Sequence, residues 1–328
     1  MNPVHLQEKL FSVNESNFES FALEIFRFQF QNNPVYCAYA KGIGKTPEKV
    51  LQLNDIPFLP VELFKTHKIY SSEKEPEIVF TSSGTTGQIT SRHEVADSEL
   101  YRMSFRKTFQ KFYGDISEWT ILALLPSYLE REGSSLVFMA DELIRESKNT
   151  DSGFYLHNYK ELAEKIKALN ASGKKILLLG VTYALLDLAE KFPQNIPNCV
   201  IMETGGMKGK RKEMIREELH SILKNAFGVN EIHSEYGMTE LLSQAYSKGN
   251  GIYHCPPWMK IKIREMNDPL SFAATGKTGG VNIIDFANLY SCSFISTSDL
   301  GKLHEDESFE ILGRFDDADI RGCNLMVE

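Results

Sequence analysis

Apolar positions in "NFESFALEIFRFQFQ" recur at helical intervals, at Phe18, Phe21, Ile25 and Phe28. This spacing predicts a helix with one apolar face packed on the main body, and residues 1–70 read mostly as helix. "NDIPFLPVELF" follows, and its prolines predict an extended connector. From Glu77 the pattern alternates. "EIVFTSSG" reads as strand into loop, and "ADSELYRMSFRKTFQKFY" as helix. "WTILALLP", "KKILLLG", "NCVIMETGG" and "EIHSEYG" read as short apolar strands. Between them "SSLVFMADELIRES", "YKELAEKIKALNASG", "YALLDLAEKF" and "RKEMIREELHSILKNAFG" carry the helical period. Such alternation predicts an α/β fold with a covered, mainly parallel sheet. After Ser243, "MKIKIREM", "GGVNIIDF" and "SCSFISTSDLG" predict a smaller β-rich section.

The length of 328 residues permits a large core and two joined subdomains. A formal net charge of −8 argues against nucleic acid as the main partner. Cys37, Cys199, Cys255, Cys292 and Cys323 form no C-x-x-C pair. Their odd number and the lack of a signal peptide suggest reduced thiols in a cytoplasmic protein. The apolar runs are too short to cross a bilayer.

The sharpest local signal is "FTSSGTTGQITSR", residues 80–92. A strand empties into Ser82, Ser83, Gly84, Thr85, Thr86 and Gly87. Such a loop offers many N–H and O–H donors and close backbone approach, which suits an anion. The glycine spacing is not that of a Walker A loop, and a polar surface turn is the competing reading. In "SEYGMTE", Tyr236 offers a face for a base, Gly237 a tight bend, and Thr239 with Glu240 a magnesium ligand pair. In "STSDLG", Asp299 follows a strand, where a carboxylate can hold ribose hydroxyls. In "GRFDD", Arg314 can meet a phosphate or ribose. Solvated turns are the competing reading for all three.

The order "TSSGTTG", "METGG", "SEYGMTE", "STSDLG", "GRFDD" resembles that of the adenylate-forming superfamily, from Ile78 to the C-terminus. The resemblance implies a phosphate loop at Ser82–Gly87. It places Gly205, Gly206 and Tyr236 on adenine, Thr239 and Glu240 on phosphate and magnesium, and Asp299 on ribose with Arg314 nearby. It implies ATP and Mg as cofactors. One departure concerns the end of the loop, where a Pro-Lys pair is usual and "QITSRH" stands here. Arg92 is a displaced candidate for the missing charge.

In that superfamily "GR-x-D" is a hinge before a mobile domain of about a hundred residues. Here Arg314 lies close to the final Glu328, so that domain and its lysine are expected to be absent. The organisation expected is a helical leader over 1–75, an adenylate-forming core over 76–312, and a hinge-like stub with a cysteine-bearing tail over 313–328. This plan resembles the acyl-protein synthetases (LuxE-type) of the bacterial luciferase fatty-acid reductase system, as do "LLPSYLEREGSSL" and "DIRGCNL". The resemblance implies that a fatty or related carboxylic acid becomes acyl-AMP, then a thioester on Cys323, and passes to a partner such as an acyl reductase. The aromatic helix near the N-terminus would then be open to lining an acyl pocket. Extended chain from Phe315 to Cys323 spans at most about 30 Å. Asp316, Asp317 and Asp319 oppose thiolate formation at Cys323, and Arg321 offsets them in part.

Two other functions remain open: an acyl-CoA or acyl-carrier ligase with Cys323 a bystander, and a non-catalytic nucleotide-binding scaffold. His254 beside Cys255 is a weak metal candidate, since neighbours on a strand face opposite ways. His233 and His93 are read as either active-site groups or packed histidines. "KGKRK", residues 208–212, is either a solvated face or a dock for an acidic carrier, a partner reductase or CoA phosphates. Glu130, Arg131 and Glu132 read as loop charges, with an acid-binding role for Arg131 as the alternative.

Overall fold

In the computed structural model the described residues are 3–82, 89–126, 132–205, 207, 210–212 and 214–315. Expectations for Ser83, Gly84, Thr85, Thr86, Gly87, Glu130, Arg131, Gly206 and Cys323 therefore lie outside the described residues. The chain packs as two units. The first is Met1–Ser104, Met238–Ser243 and His254–Glu328, and the second is Phe105–Gly237 and Gln244–Tyr253.

In the first unit the aromatic period produces the expected helix, Phe18–Asn32, with Phe18, Phe21, Ile25 and Phe28 all buried. Its rings meet Phe286, with centroids 4.7 Å away for Phe18 and 5.0 Å for Phe21. That face is therefore spent on core packing. The next helix, Pro34–Gly42, starts where Asn33 accepts a hydrogen bond from the Tyr36 N–H and proline occupies the first turn. The "NDIPFLPVELF" segment is more ordered than a bare connector. Leu59–Pro60 pairs in parallel with Phe294–Leu303, placing Leu59 opposite Ile295. Proline is tolerated there because the strand is a short edge piece.

Four antiparallel strands follow in spatial order: Met259–Arg264, Thr278–Asp285, Phe294–Leu303 and Phe309–Arg314. The β-rich section is thus as predicted, with two refinements. Asp299 does not follow its strand but lies inside Phe294–Leu303, because pairing resumes past an irregularity at Leu300/Gly301. "GRFDD" begins as the end of a strand, since Gly313 and Arg314 pair with Leu300 and Asp299. A separate hairpin joins Ile78–Thr81 to Arg92–Val95. The second strand, "RHEV", carries too many polar residues to show an apolar alternation.

In the second unit, Gly153–Tyr155, Trp119–Leu124, Lys175–Val181, Cys199–Thr204 and His233–Tyr236 form a parallel sheet in that spatial order. Ala245–Ser247 adds antiparallel to the last of them. Helices Ser135–Ser147, Tyr159–Ala171, Thr182–Lys191 and Arg216–Phe227 alternate with the strands along the chain. The helix expected from Arg211 starts at Arg216 instead, and Arg211 turns back to Asp187 and Glu190. Trp119–Leu124 is buried at every position, as a strand covered on both faces must be. Among the described residues no helix is long and apolar enough to cross a membrane.

Leu178 lies fully buried in the middle of this parallel sheet. Leu178→Ala should cost about 3 kcal/mol, the usual penalty for an unfilled core site. Urea titration of the two proteins measures it, and a loss under about 1 kcal/mol would mean that the site collapses around the gap.

Candidate functional site

Where the hairpin strands run into the Ser/Thr/Gly segment, two serines bridge them. The Ser82 N–H donates to the Ser91 carbonyl at 3.1 Å, and the Ser91 N–H donates to Ser82 Oγ at 2.9 Å. Ladder bonds between Thr81 and Arg92 continue this closure. Arg92 is exposed, with Nε 3.6 Å from Glu94 Oε1, so part of its charge is already met. It stands at the loop end of the hairpin, opposite Thr81.

The turn Met238–Ser243 is held from below by a loop that the sequence patterns did not single out. Asp285, with 0% exposure, accepts from the Leu242 N–H at 3.0 Å, the Ser243 N–H at 2.9 Å, Ser243 Oγ at 2.6 Å and the Ala287 N–H at 3.0 Å. Asn288 donates to the Glu240 carbonyl at 2.7 Å and accepts from the Leu242 N–H at 3.0 Å. Burial pushes the Asp285 carboxyl up to about 6 against the opposing pull of these donors.

His93 ties the hairpin to this turn. A carbonyl only accepts, so Nδ1 carries the proton donated to the Thr239 oxygen at 2.9 Å. Nε2 then accepts from Ser291 Oγ at 2.8 Å. Burial pushes the imidazole down to about 4. Of its two expected roles, the structure gives His93 the packed one, and that role positions Thr239.

Glu240 is 5% exposed. Burial raises its carboxyl above the ordinary range, and hydrogen bonding to the Ser91 side chain and the positive charges of Arg314 and Lys65 oppose the rise. Asp299 and Arg314 are cross-strand partners, with Arg314 Nε 3.5 Å from Asp299 Oδ1. The first unit thus assembles Ser82, Thr239, Glu240, Asp299 and Arg314 from four separated stretches of chain.

Gly205, Tyr236 and Gly237 belong to the second unit. Gly205 follows Cys199–Thr204 at φ +71°, a left-handed conformation that suits glycine. Tyr236 ends the parallel strand His233–Tyr236 and meets Tyr253 edge to face at 6.0 Å. Carboxyl ends of parallel strands are where open α/β sheets place ligand groups. A Cβ on Gly237 would lie 2.5 Å from Glu235 Oε1. Glu235 itself was missed by pattern reading, being one more carboxylate in a polar motif. It accepts from Thr204 Oγ1 at 2.6 Å, and burial pushes it up to about 7.

The remaining candidates make contacts within the fold. His233 Nδ1 meets the Tyr113 hydroxyl at 3.1 Å, and burial with the Lys248 charge pushes the ring down to about 4. Arg211 of the basic cluster bonds Asp187 and Glu190, with Nε 3.0 Å from Asp187 Oδ1 and Nη1 2.6 Å from Glu190 Oε1. Its charge is therefore engaged within the fold. Burial pushes the Cys199 and Cys292 thiols up to about 12, and raises Cys255 as well.

A family model described as "Acyl-protein synthetase, LuxE" matches residues 4–108 and 137–328. The long-chain-fatty-acid–luciferin-component ligase of Vibrio harveyi is 22% identical over 322 residues, covering 92% of this chain and 84% of that protein. The protein of the same description from Photorhabdus luminescens is 36% identical over 66 residues, covering 20% of this chain and 56% of that protein. Among solved structures, 2-hydroxyisobutyryl-CoA ligase in the postadenylation state with R3-HIB-AMP aligns with a TM-score of 0.67 at 11% identity, covering 94% of this chain and 70% of that one. ATP-bound MatB from Rhodopseudomonas palustris aligns with a TM-score of 0.54 at 16% identity, covering 72% of this chain. The alignment spans 47% of the MatB chain, about half its length. These two likenesses establish the fold.

The His93 bridge makes a pH-dependent prediction. The folded value is about 4 and the unfolded value 6.5, so between them the unfolded chain binds more protons. Stability from this group is complete above about 6.5 and is lost as pH falls toward about 4. His93→Gln removes the titration, so the wild type's advantage should shrink by up to about 3 kcal/mol across that window. Urea titrations at several pH values measure it. A difference independent of pH would mean that His93 titrates alike in both states.

Proposed function

Because the chain belongs to the LuxE family of acyl-protein synthetases, we propose that it activates a fatty or related carboxylic acid with ATP and takes the acyl group onto Cys323. The carrying observation is the reach of the family match, which includes the hairpin loop, the Glu240 turn, the Asp299–Arg314 pair and the tail. In the first step a carboxylate oxygen attacks the α-phosphorus of ATP, and the bond to pyrophosphate breaks. In the second, the Cys323 thiolate attacks the acyl carbon, the bond to AMP breaks, and a thioester forms. The thiol proton leaves before attack.

In this reading the donors of Ser82, Ser83, Gly84, Thr85, Thr86 and Gly87 stabilise the phosphates. Asp299 takes the ribose hydroxyls, with Arg314 beside it. Gly205, Gly206 and Tyr236 meet adenine, and Gly237 leaves room for the Glu235 carboxylate next to Tyr236. A magnesium ion fits the Glu240 and Thr239 oxygens, because the Glu240 carboxylate is buried and raised by desolvation. When bound, the ion would neutralise phosphate charge. Cys323 suits the role of acceptor better than Cys199, Cys255 or Cys292, whose thiols burial holds protonated. The acyl group would then pass to a partner such as an acyl reductase, in the cytoplasm.

One observation favours a second reading. The CoA ligase structure that aligns over 94% of this chain suggests CoA or a carrier thiol as acceptor, with Cys323 a bystander. Membership in a synthetase family speaks against a non-catalytic scaffold.

Incubation with ATP and a fatty acid should add one acyl mass to the intact protein. Cys323→Ser should lose the adduct and keep acid-dependent ATP–pyrophosphate exchange. Acyl-CoA formation by Cys323→Ser, with no adduct on the wild type, would instead establish the second reading. Glu240→Gln should lower the exchange rate about a hundredfold, as loss of a phosphate-site charge does. An unchanged rate would remove Glu240 from the reaction.

A further inference from the structure

We propose that Arg264 is a positioning residue for acyl transfer, seating Phe315 and so fixing where the Cys323-bearing segment leaves the sheet. The proposal rests on the reading of Cys323 as acyl acceptor.

Arg264 ends the strand Met259–Arg264 and is 8% exposed. Its guanidinium is locked by acceptors from two other strands. Nη1 donates to the Val281 carbonyl and to Asn282 Oδ1, both at 2.9 Å, and Nη2 donates to the Thr297 carbonyl at 2.6 Å. The cross-strand partner of Arg264 is Gly280. A Cβ there would lie 2.3 Å from Arg264 Cζ, so the glycine makes the space the cation occupies. All three acceptors are neutral, and the carboxylates of Glu62 and Asp299 act on the charge as well. The flat face of a guanidinium can in addition stack on an aromatic ring. Phe315 supplies that ring, with Arg264 Cζ 5.1 Å from the ring centroid.

The seat lies at a defined place in the chain. Arg314 reaches Asp299 at 3.5 Å, and the next residue sits on Arg264, so consecutive side chains are gripped by separate groups. Cys323 follows eight residues later, a span of at most about 29 Å. Fixing the start of so short a tether raises the effective concentration of its thiol near one point. The grip thus bears on thioester formation, because adenylation does not use the tether.

The test separates the two half-reactions in Phe315→Ala, Phe315→Trp and Arg264→Lys. Acid-dependent ATP–pyrophosphate exchange reports adenylation, and the initial rate of the acyl adduct on Cys323, by intact mass, reports transfer. Phe315→Ala and Arg264→Lys should keep exchange within about twofold and slow adduct formation about tenfold. Phe315→Trp, which retains a ring face for the cation, should restore it. Thermal melts of the variants identify any that fail to fold, and Phe315, only half-buried, allows truncation without opening the core. Wild-type adduct rates in Phe315→Ala would overturn the seat and leave the acylation reading standing. Parallel loss of exchange and adduct would also overturn it. Exchange by the wild type with no adduct on Cys323 would overturn the acylation reading, and the seat's role with it.

Discussion

A carboxylate shut off from water must find its hydrogen bonds inside the protein, and Asp285 finds four of them. Three come from Leu242 and Ser243, so the shape of the Met238–Ser243 turn is dictated by one side chain over forty residues away. Each donor left unpaired would cost about 1–3 kcal/mol. Asn288 adds the Glu240 carbonyl to the same support, and His93 adds that of Thr239. The backbone at Thr239 and Glu240 is therefore held by a buried polar foundation.

The buried carboxyls divide by how many donors they receive. Asp285 is surrounded by donors, and burial still raises it to about 6. Glu235 has the Thr204 hydroxyl and is raised to about 7, with Glu203 adding to the rise. Glu240 has Ser91 and the more distant charges of Arg314 and Lys65. Fewer donors leave more of a buried carboxylate's charge for another partner to meet.

Much of this was legible in the chain. The helical spacing of Phe18, Phe21, Ile25 and Phe28 placed a packed helix, and the apolar runs placed the parallel strands, because both follow from local periodicity. The strand ahead of Ser82 was legible from the apolar run in "EIVF". Arg92–Val95 was hidden, because its polar side chains make an ion pair and hydrogen bonds rather than an apolar stripe. Asp299 looked like the end of a strand because Asp, Leu and Gly resemble a turn, yet cross-strand pairing continues through it. Arg211 looked like a free cation until its carboxylates arrived from another helix.

By itself, the sequence determined the alternation of strands and helices, the β-rich C-terminal section, and the motifs that place this chain in a family. These are local properties, written in period, composition and order. Only the tertiary structure decided what each polar residue does. Asp285 became the support of a turn, His93 a neutral bridge to Thr239, and Arg264 a buried platform for Phe315. A buried polar group takes its role from the partner that satisfies it, and such partners lie far away along the chain.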